Sequence, residues 1–99
     1  MQLDIKKDGR NLFVKVMDPL NVTTSVEFLD RVKPEINILG KIEIDISEME
    51  YTSSAGLRAF LTIENMMESD DGMVIKAPNE VVRGVFKESG LDRVFTIID

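Results

Sequence analysis

The sequence predicts an α/β fold: a mixed β-sheet in which an N-terminal antiparallel hairpin joins parallel strand-helix-strand units, with the helices mainly on one face. Three observations carry this. Two alternating segments near the N-terminus flank an Asp-Gly turn, and Lys41-Ile42-Glu43-Ile44-Asp45-Ile46 alternates cleanly enough to mark a central strand. From that strand to the end of the chain, helical and strand periodicities take turns. Successive strands joined by helices require right-handed crossovers and hence a parallel core.

The hairpin strands are Leu3-Asp4-Ile5-Lys6 and Leu12-Phe13-Val14-Lys15-Val16, and Lys7-Asp8-Gly9-Arg10-Asn11 turns between them. After the Pro19 break, Thr24 and Glu27 have the spacing of a capping box, and Val26, Leu29 and Val32 follow at helical intervals. A first helix is expected over Ser25 to Lys33, ended or kinked by Pro34. Gly40 opens the central strand, which should set Ile42, Ile44 and Ile46 on one face.

From Gly56 to Glu68 a broad apolar stripe, Leu57, Phe60, Leu61, Ile63 and Met67, predicts the second helix, interrupted by Glu64 and ended by Ser69-Asp70-Asp71-Gly72. Ala59 and Met66 lie off that stripe, which leaves open an exposed apolar patch there. A short strand follows at Met73-Val74-Ile75. Pro78 then suits a first helical turn, Val81, Val82, Val85 and Phe86 mark the third helix, Gly90 stops it, and Val94 to Ile98 form a last strand.

The 99 residues, 43% of them hydrophobic, suffice for one core, so a single domain over 1–99 is expected. No apolar run approaches the roughly 20 residues needed to cross a bilayer, and Met1 to Arg10 lacks the apolar stretch of a signal peptide. Together with the absence of cysteine this predicts a cytoplasmic protein without a membrane partner. The net charge is -6 and the basic residues are scattered, so no surface is offered to a nucleic-acid backbone.

With neither histidine nor cysteine, the usual general base near neutral pH and the soft metal ligands are missing. No Ser-x-x-Lys occurs, and the six glycines never form Gly-x-Gly, so nucleophilic catalysis and a dedicated phosphate loop are disfavoured. Asp70-Asp71-Gly72 lacks the alternating acids and closing Glu of a calcium loop and reads as a solvated turn. A binding module rather than an enzyme is expected, with no cofactor and no metal.

One segment stands apart: Asp45 to Arg58 joins the clearest strand to the second helix through Tyr51-Thr52-Ser53-Ser54-Ala55-Gly56-Leu57. Two readings of its hydroxyls are open. Ser53 or Ser54 is an N-cap that accepts from a first-turn N–H, or one of them is phosphorylated, because a helix N-terminus tolerates an anion. Arg58, one turn beyond Ser54, is either a solvated cation or the neighbour of such an anion.

At this segment the chain resembles the STAS family, the anti-sigma-factor antagonists and their relatives. The strand ending Asp45-x-Ser47, the aromatic Tyr51 and the run Ser53-Ser54-Ala55-Gly56-Leu57 carry the resemblance. The hairpin, Leu20-Asn21 and the stretch from Val81-Val82 to Ser89-Gly90-Leu91-Asp92 extend it over most of the chain. The resemblance implies partner switching: the unphosphorylated domain binds a serine-kinase anti-sigma factor, phosphorylation releases it, and a serine phosphatase resets the cycle. ATP would belong to the kinase.

The family's common pattern has a hydroxyl directly before the glycine, where this chain has Ala55, so the implied acceptor moves to Ser54, with Ser53 the second choice. Ser53 occupies a position where many members have an acid and is implied either to orient Ser54 by hydrogen bonding or to be an acceptor itself. Asn21 stands where many have aspartate. The implied partner-binding surface comprises Asn21, Thr23, Tyr51, Thr52, Ser53, Ser54, Ala55, Gly56, Leu57 and Arg58. A constitutive scaffold module, using the same surface without phosphorylation, is the alternative.

Overall fold

A computed structural model describes residues 1–38, 40–67 and 72–99. Strands β1 (Leu3–Asp8) and β2 (Asn11–Val16) form the expected hairpin, longer at the turn than the alternation suggests, with Asp8 paired to Asn11 and Leu3 to Val16. Helix α1 (Val22–Val32), β3 (Lys41–Asp45), α2 (Ser54–Met66), β4 (Met73–Lys76), α3 (Glu80–Ser89) and β5 (Thr96–Ile98) follow. The sheet runs β1-β2-β3-β4-β5, antiparallel between β1 and β2 and parallel at every later pair.

That order determines where the helices lie. Each crossover from β2 onward steps to the next strand in the same direction, and right-handed crossovers made in one direction put every helix on one face. Leu12, Val14, Val16, Ile42, Ile44, Met73 and Ile75 point into the resulting core. Phe60 of α2 sits at its centre, edge-on to Phe28 of α1 at 5.7 Å, Phe86 of α3 at 6.2 Å and Phe95 at 6.3 Å between ring centroids. The opposite sheet face carries the register row Asp4, Lys15, Asp45, Lys76, in which charges alternate across the strands.

Helix α1 departs from the expectation in two ways. It starts at Val22, because Asn21 is the cap: its Oδ1 accepts from the Thr24 N–H at 2.9 Å and its own N–H donates to Thr24 Oγ1 at 2.8 Å. Thr24 thus completes a capping box instead of opening one with Glu27. Phe28 and Val32 fix the inner face, which turns Ser25 inward at 4% exposure and leaves Val26 outside at 55%. Pro34 ends the helix by starting a separate 3-10 segment, Lys33–Ile38, where its missing N–H is tolerated.

Helix α2 begins two residues earlier than its apolar stripe, at Ser54. Lying between α1 and α3, it buries a face wide enough to include Ala59, so Ala59 and Met66 form no common exposed patch; only Met66 is exposed. Its expected ending at Ser69 to Asp71, and with it the acidic turn, falls outside the described residues. Pro78 stands outside α3 rather than in its first turn, because Asn79 is the cap and Glu80 the first helical residue. Gly90 closes α3 in the left-handed conformation at φ 78, as a C-terminal glycine should. Val94 belongs to the turn after Leu91–Arg93, so β5 starts only at Thr96.

Candidate functional site

Parallel strands bring their carboxyl ends to one end of a sheet, and ligand or partner sites in such folds gather there. Here that end carries the loop from β3 to α2. Asp45 closes its first turn, with Oδ1 accepting from the Ser47 N–H at 2.8 Å. Burial pushes the Asp45 carboxyl upward, but the Ser47 backbone and hydroxyl bonds and the Lys15 and Lys76 cations outweigh it and leave the pKa below the ordinary 3.8. Met49 is fully buried and pins the middle of the loop, while Glu48 pairs with Lys15 on the open sheet face.

Two neighbouring segments hold the loop. From the β2–α1 side, Leu20 forms a parallel bridge with Thr52: its N–H donates to Tyr51 O at 3.3 Å and its carbonyl accepts from the Ser53 N–H at 2.8 Å. From the β4–α3 side, the Asn79 amide donates to Met49 O at 3.1 Å and Glu50 O at 3.2 Å. Asn21 is the chain neighbour of Leu20, so these bonds bring the start of α1 to the serine segment.

Gly56 is a steric requirement. A Cβ at that position would lie 2.1 Å from Thr52 Oγ1 and 2.7 Å from Leu20 Cβ, closer than any real side chain packs. Its absence lets the first turn of α2 rest on the bridge between Leu20 and Thr52. The sequence shows a glycine here; only the fold shows what it makes room for.

The three consecutive small residues before it have different surroundings. Ser53 has the extended backbone of an N-cap, at φ -88 and ψ 176, yet its side chain makes no cap bond and its Oγ is buried without a partner. The expected hydroxyl cap is therefore not formed, and Ser53 does not orient Ser54 by hydrogen bonding. Ser54, the first helical residue, is exposed, and Ala55 is half-buried.

Of the remaining expected contact residues, Asn21, Thr23, Tyr51 and Arg58 are exposed, Tyr51 at 52%. Thr52, Gly56 and Leu57 are buried and shape the junction from within. Arg58 forms no ion pair among the described residues. The structure adds Val22 and Val81, exposed at 72% and 58% near the starts of α1 and α3. It also adds Asn79, whose signal in the sequence was Pro-Asn-Glu directly ahead of a helical pattern.

Among the described residues no cluster of acids is arranged to hold a metal, and no helix is long and apolar enough to cross a membrane. The arrangement offers an exposed surface with an aromatic, a hydroxyl and a helix N-terminus. Such a surface suits recognition by a macromolecule more than enclosure of a substrate.

The family model for the STAS domain matches residues 2–99. A candidate anti-sigma factor antagonist from Thermotoga maritima is 25% identical, with 98% of this chain and 86% of that one covered at a TM-score of 0.87. An anti-sigma factor antagonist from Mycobacterium paratuberculosis shares the fold at TM-score 0.88 and 17% identity, covering 98% of this chain and 84% of its own. The Bacillus cell fate determinant SpoIIAA in its phosphorylated form shares it at TM-score 0.75 and 15% identity, covering 97% and 90%.

Proposed function

This chain belongs to the STAS domain family, and we propose that it works as an anti-sigma-factor antagonist controlled by phosphorylation at Ser54. Unphosphorylated, this single cytoplasmic domain binds a serine-kinase anti-sigma factor. Phosphate on Ser54 releases that kinase, and a serine phosphatase restores the binding form. The domain catalyses nothing itself, in keeping with a sequence that has no histidine or cysteine. The observation that carries the reading is the distribution of hydroxyls: Ser54 is exposed, the Ser53 oxygen is buried, and Ala55 has none.

The mechanism follows from charge and position. A phosphate on the first helical residue meets the positive end of the α2 dipole, so the helix persists. It adds about -1.5 to -2 charges to a segment that already carries the exposed Glu50. A partner that docks on Tyr51 and the start of α2 loses affinity through repulsion and unfavourable desolvation, while the fold stays unchanged. Arg58 is placed one turn along to moderate the cost of that charge.

The test is capture from source lysate with wild type, Ser54→Ala and Ser54→Asp as baits, the recovered kinase being identified by mass spectrometry. Ser54→Ala should retain the kinase and Ser54→Asp should lose most of it. Equal recovery by wild type and Ser54→Asp rules out the charge switch. Ala55, standing directly before Gly56 where the family's common pattern has a hydroxyl, favours one second reading, a constitutive scaffold without phosphorylation. Intact-mass measurements of the native protein that show no phosphate under varied growth conditions would select it.

A further inference from the structure

Asn79 does more than start a helix. Its Oδ1 accepts from the Val82 N–H at 2.8 Å and caps α3, while its Nδ2 reaches back to Met49 O and Glu50 O at 3.1 and 3.2 Å. A side-chain amide has two N–H donors, so both carbonyls can be served at once. The two carbonyls belong to the residues just before Tyr51, five and four positions ahead of Ser54. One side chain therefore joins the start of α3 to the segment that leads to the candidate acceptor.

The backbone is bent to deliver it. Among the described residues Ala77 is the one non-glycine residue with positive φ, at 60, a conformation that crowds a Cβ. Its N–H is held by Ile98 O at 2.8 Å, and Pro78 beside it is buried. Strained backbone of this kind persists only where its surroundings over-determine it.

The geometry points to Asn79 as the positioning residue of the switch: it fixes the segment from Met49 to Tyr51 so that Tyr51 and Ser54 are presented together. It also makes the start of α3 and this loop a single mechanical unit. The inference rests on the reading of Ser54 given above.

Two variants separate the cap from the clamp. Asn79→Asp keeps an acceptor for the Val82 N–H, removes both donors and opposes a carboxylate to two carbonyl oxygens. Asn79→Ser also keeps a cap acceptor but is too short to reach the loop, and it adds no charge. Hydrogen exchange by mass spectrometry on the full chain should show residues 47–53 of both variants exchanging on the order of tenfold faster, with α3 close to wild type. Phosphate incorporation at Ser54, followed in source lysate supplied with ATP, should slow at least about tenfold in both variants, since misplacing a reacting group by roughly 1 Å costs about a hundredfold.

Unchanged exchange over residues 47–53 overturns the inference whatever the kinase does. Faster exchange with Ser54 modified at the wild-type rate overturns it as well, since loop geometry would then not be what the kinase reads. A wild-type chain that takes up no phosphate overturns the Ser54 reading instead. The exchange data then still decide whether Asn79 holds the loop.

Discussion

Helices α2 and α3 begin at the same end of the same sheet, follow parallel strands, and are both preceded by a residue with N-cap backbone geometry. Their starts differ in kind. Asn79 closes the first turn of α3 with its side chain, as Asn21 does for α1, whereas Ser53 ahead of α2 makes no cap bond and buries its hydroxyl unpaired. What α2 has instead is contact, with Gly56 letting its first turn sit against Thr52 and Leu20. The start of α3 is stabilised by its own side chain, and the start of α2 by its neighbours. A helix end of the second kind leaves its adjacent exposed residue, Ser54, free for another purpose.

The glycines of the two helices test this most severely. Gly56→Ala would force a Cβ into Thr52 and Leu20, and overpacking of that sort should cost about 3 kcal/mol in urea unfolding. Gly84, in the interior of α3, has nothing within 4 Å of where its Cβ would go. Gly84→Ala should therefore stabilise by about 0.5–1 kcal/mol, through helix propensity and a less flexible unfolded chain. If Gly56→Ala costs no more than Gly84→Ala, the close approach at the α2 start is not what holds it.

Cap removal comes next in size. Asn21→Ala should cost about 1 kcal/mol, the usual value of a side-chain N-cap. Asn79→Ala should cost somewhat more, about 2 kcal/mol, because two carbonyls of the β3–α2 loop lose their donor together with the cap. Equal losses would mean that the reach of Asn79 across the loop adds nothing to stability.

What could be read beforehand follows the same division. Strand alternation in β3, the Asp-Gly turn and Gly90 are local signals, and the structure places each as expected. Helix orientation is not local: Val26 fits the helical interval as well as Ser25 does, and only the tertiary demand of Phe28 and Val32 for the core decides between them. At the site, the serine-glycine run was legible as special. Its internal order was not, because the segment is held by a tertiary partner distant in sequence, Leu20, whose carbonyl accepts from the Ser53 N–H.

Acid sharpens the comparison at the origin of the α2 loop. Asp45 has its pKa lowered on folding, so its carboxylate contributes stability above the ordinary value of 3.8, and that contribution is lost as pH falls through the folded value. The stability gap between wild type and Asp45→Asn should thus be widest near neutrality and shrink as the carboxyl titrates in acid. Parallel urea titrations across that range would show it. A gap that does not narrow would mean that Asp45 acts through shape rather than charge.

The smallest expected effect discriminates best. Ser53→Ala removes a hydroxyl that is buried and unbonded, so no hydrogen bond is lost and a desolvated polar group disappears. The variant should match wild type or gain up to about 1 kcal/mol, where the same change at Asn21 loses that amount. A loss of 1 kcal/mol or more in urea unfolding would show that the Ser53 hydroxyl has a stabilising partner, and α2 would then start as α1 and α3 do. A neutral result would leave a serine that contributes nothing to folding at the start of α2, which lacks the side-chain cap that α1 and α3 have, and departures of that kind are expected where a surface is shaped for recognition.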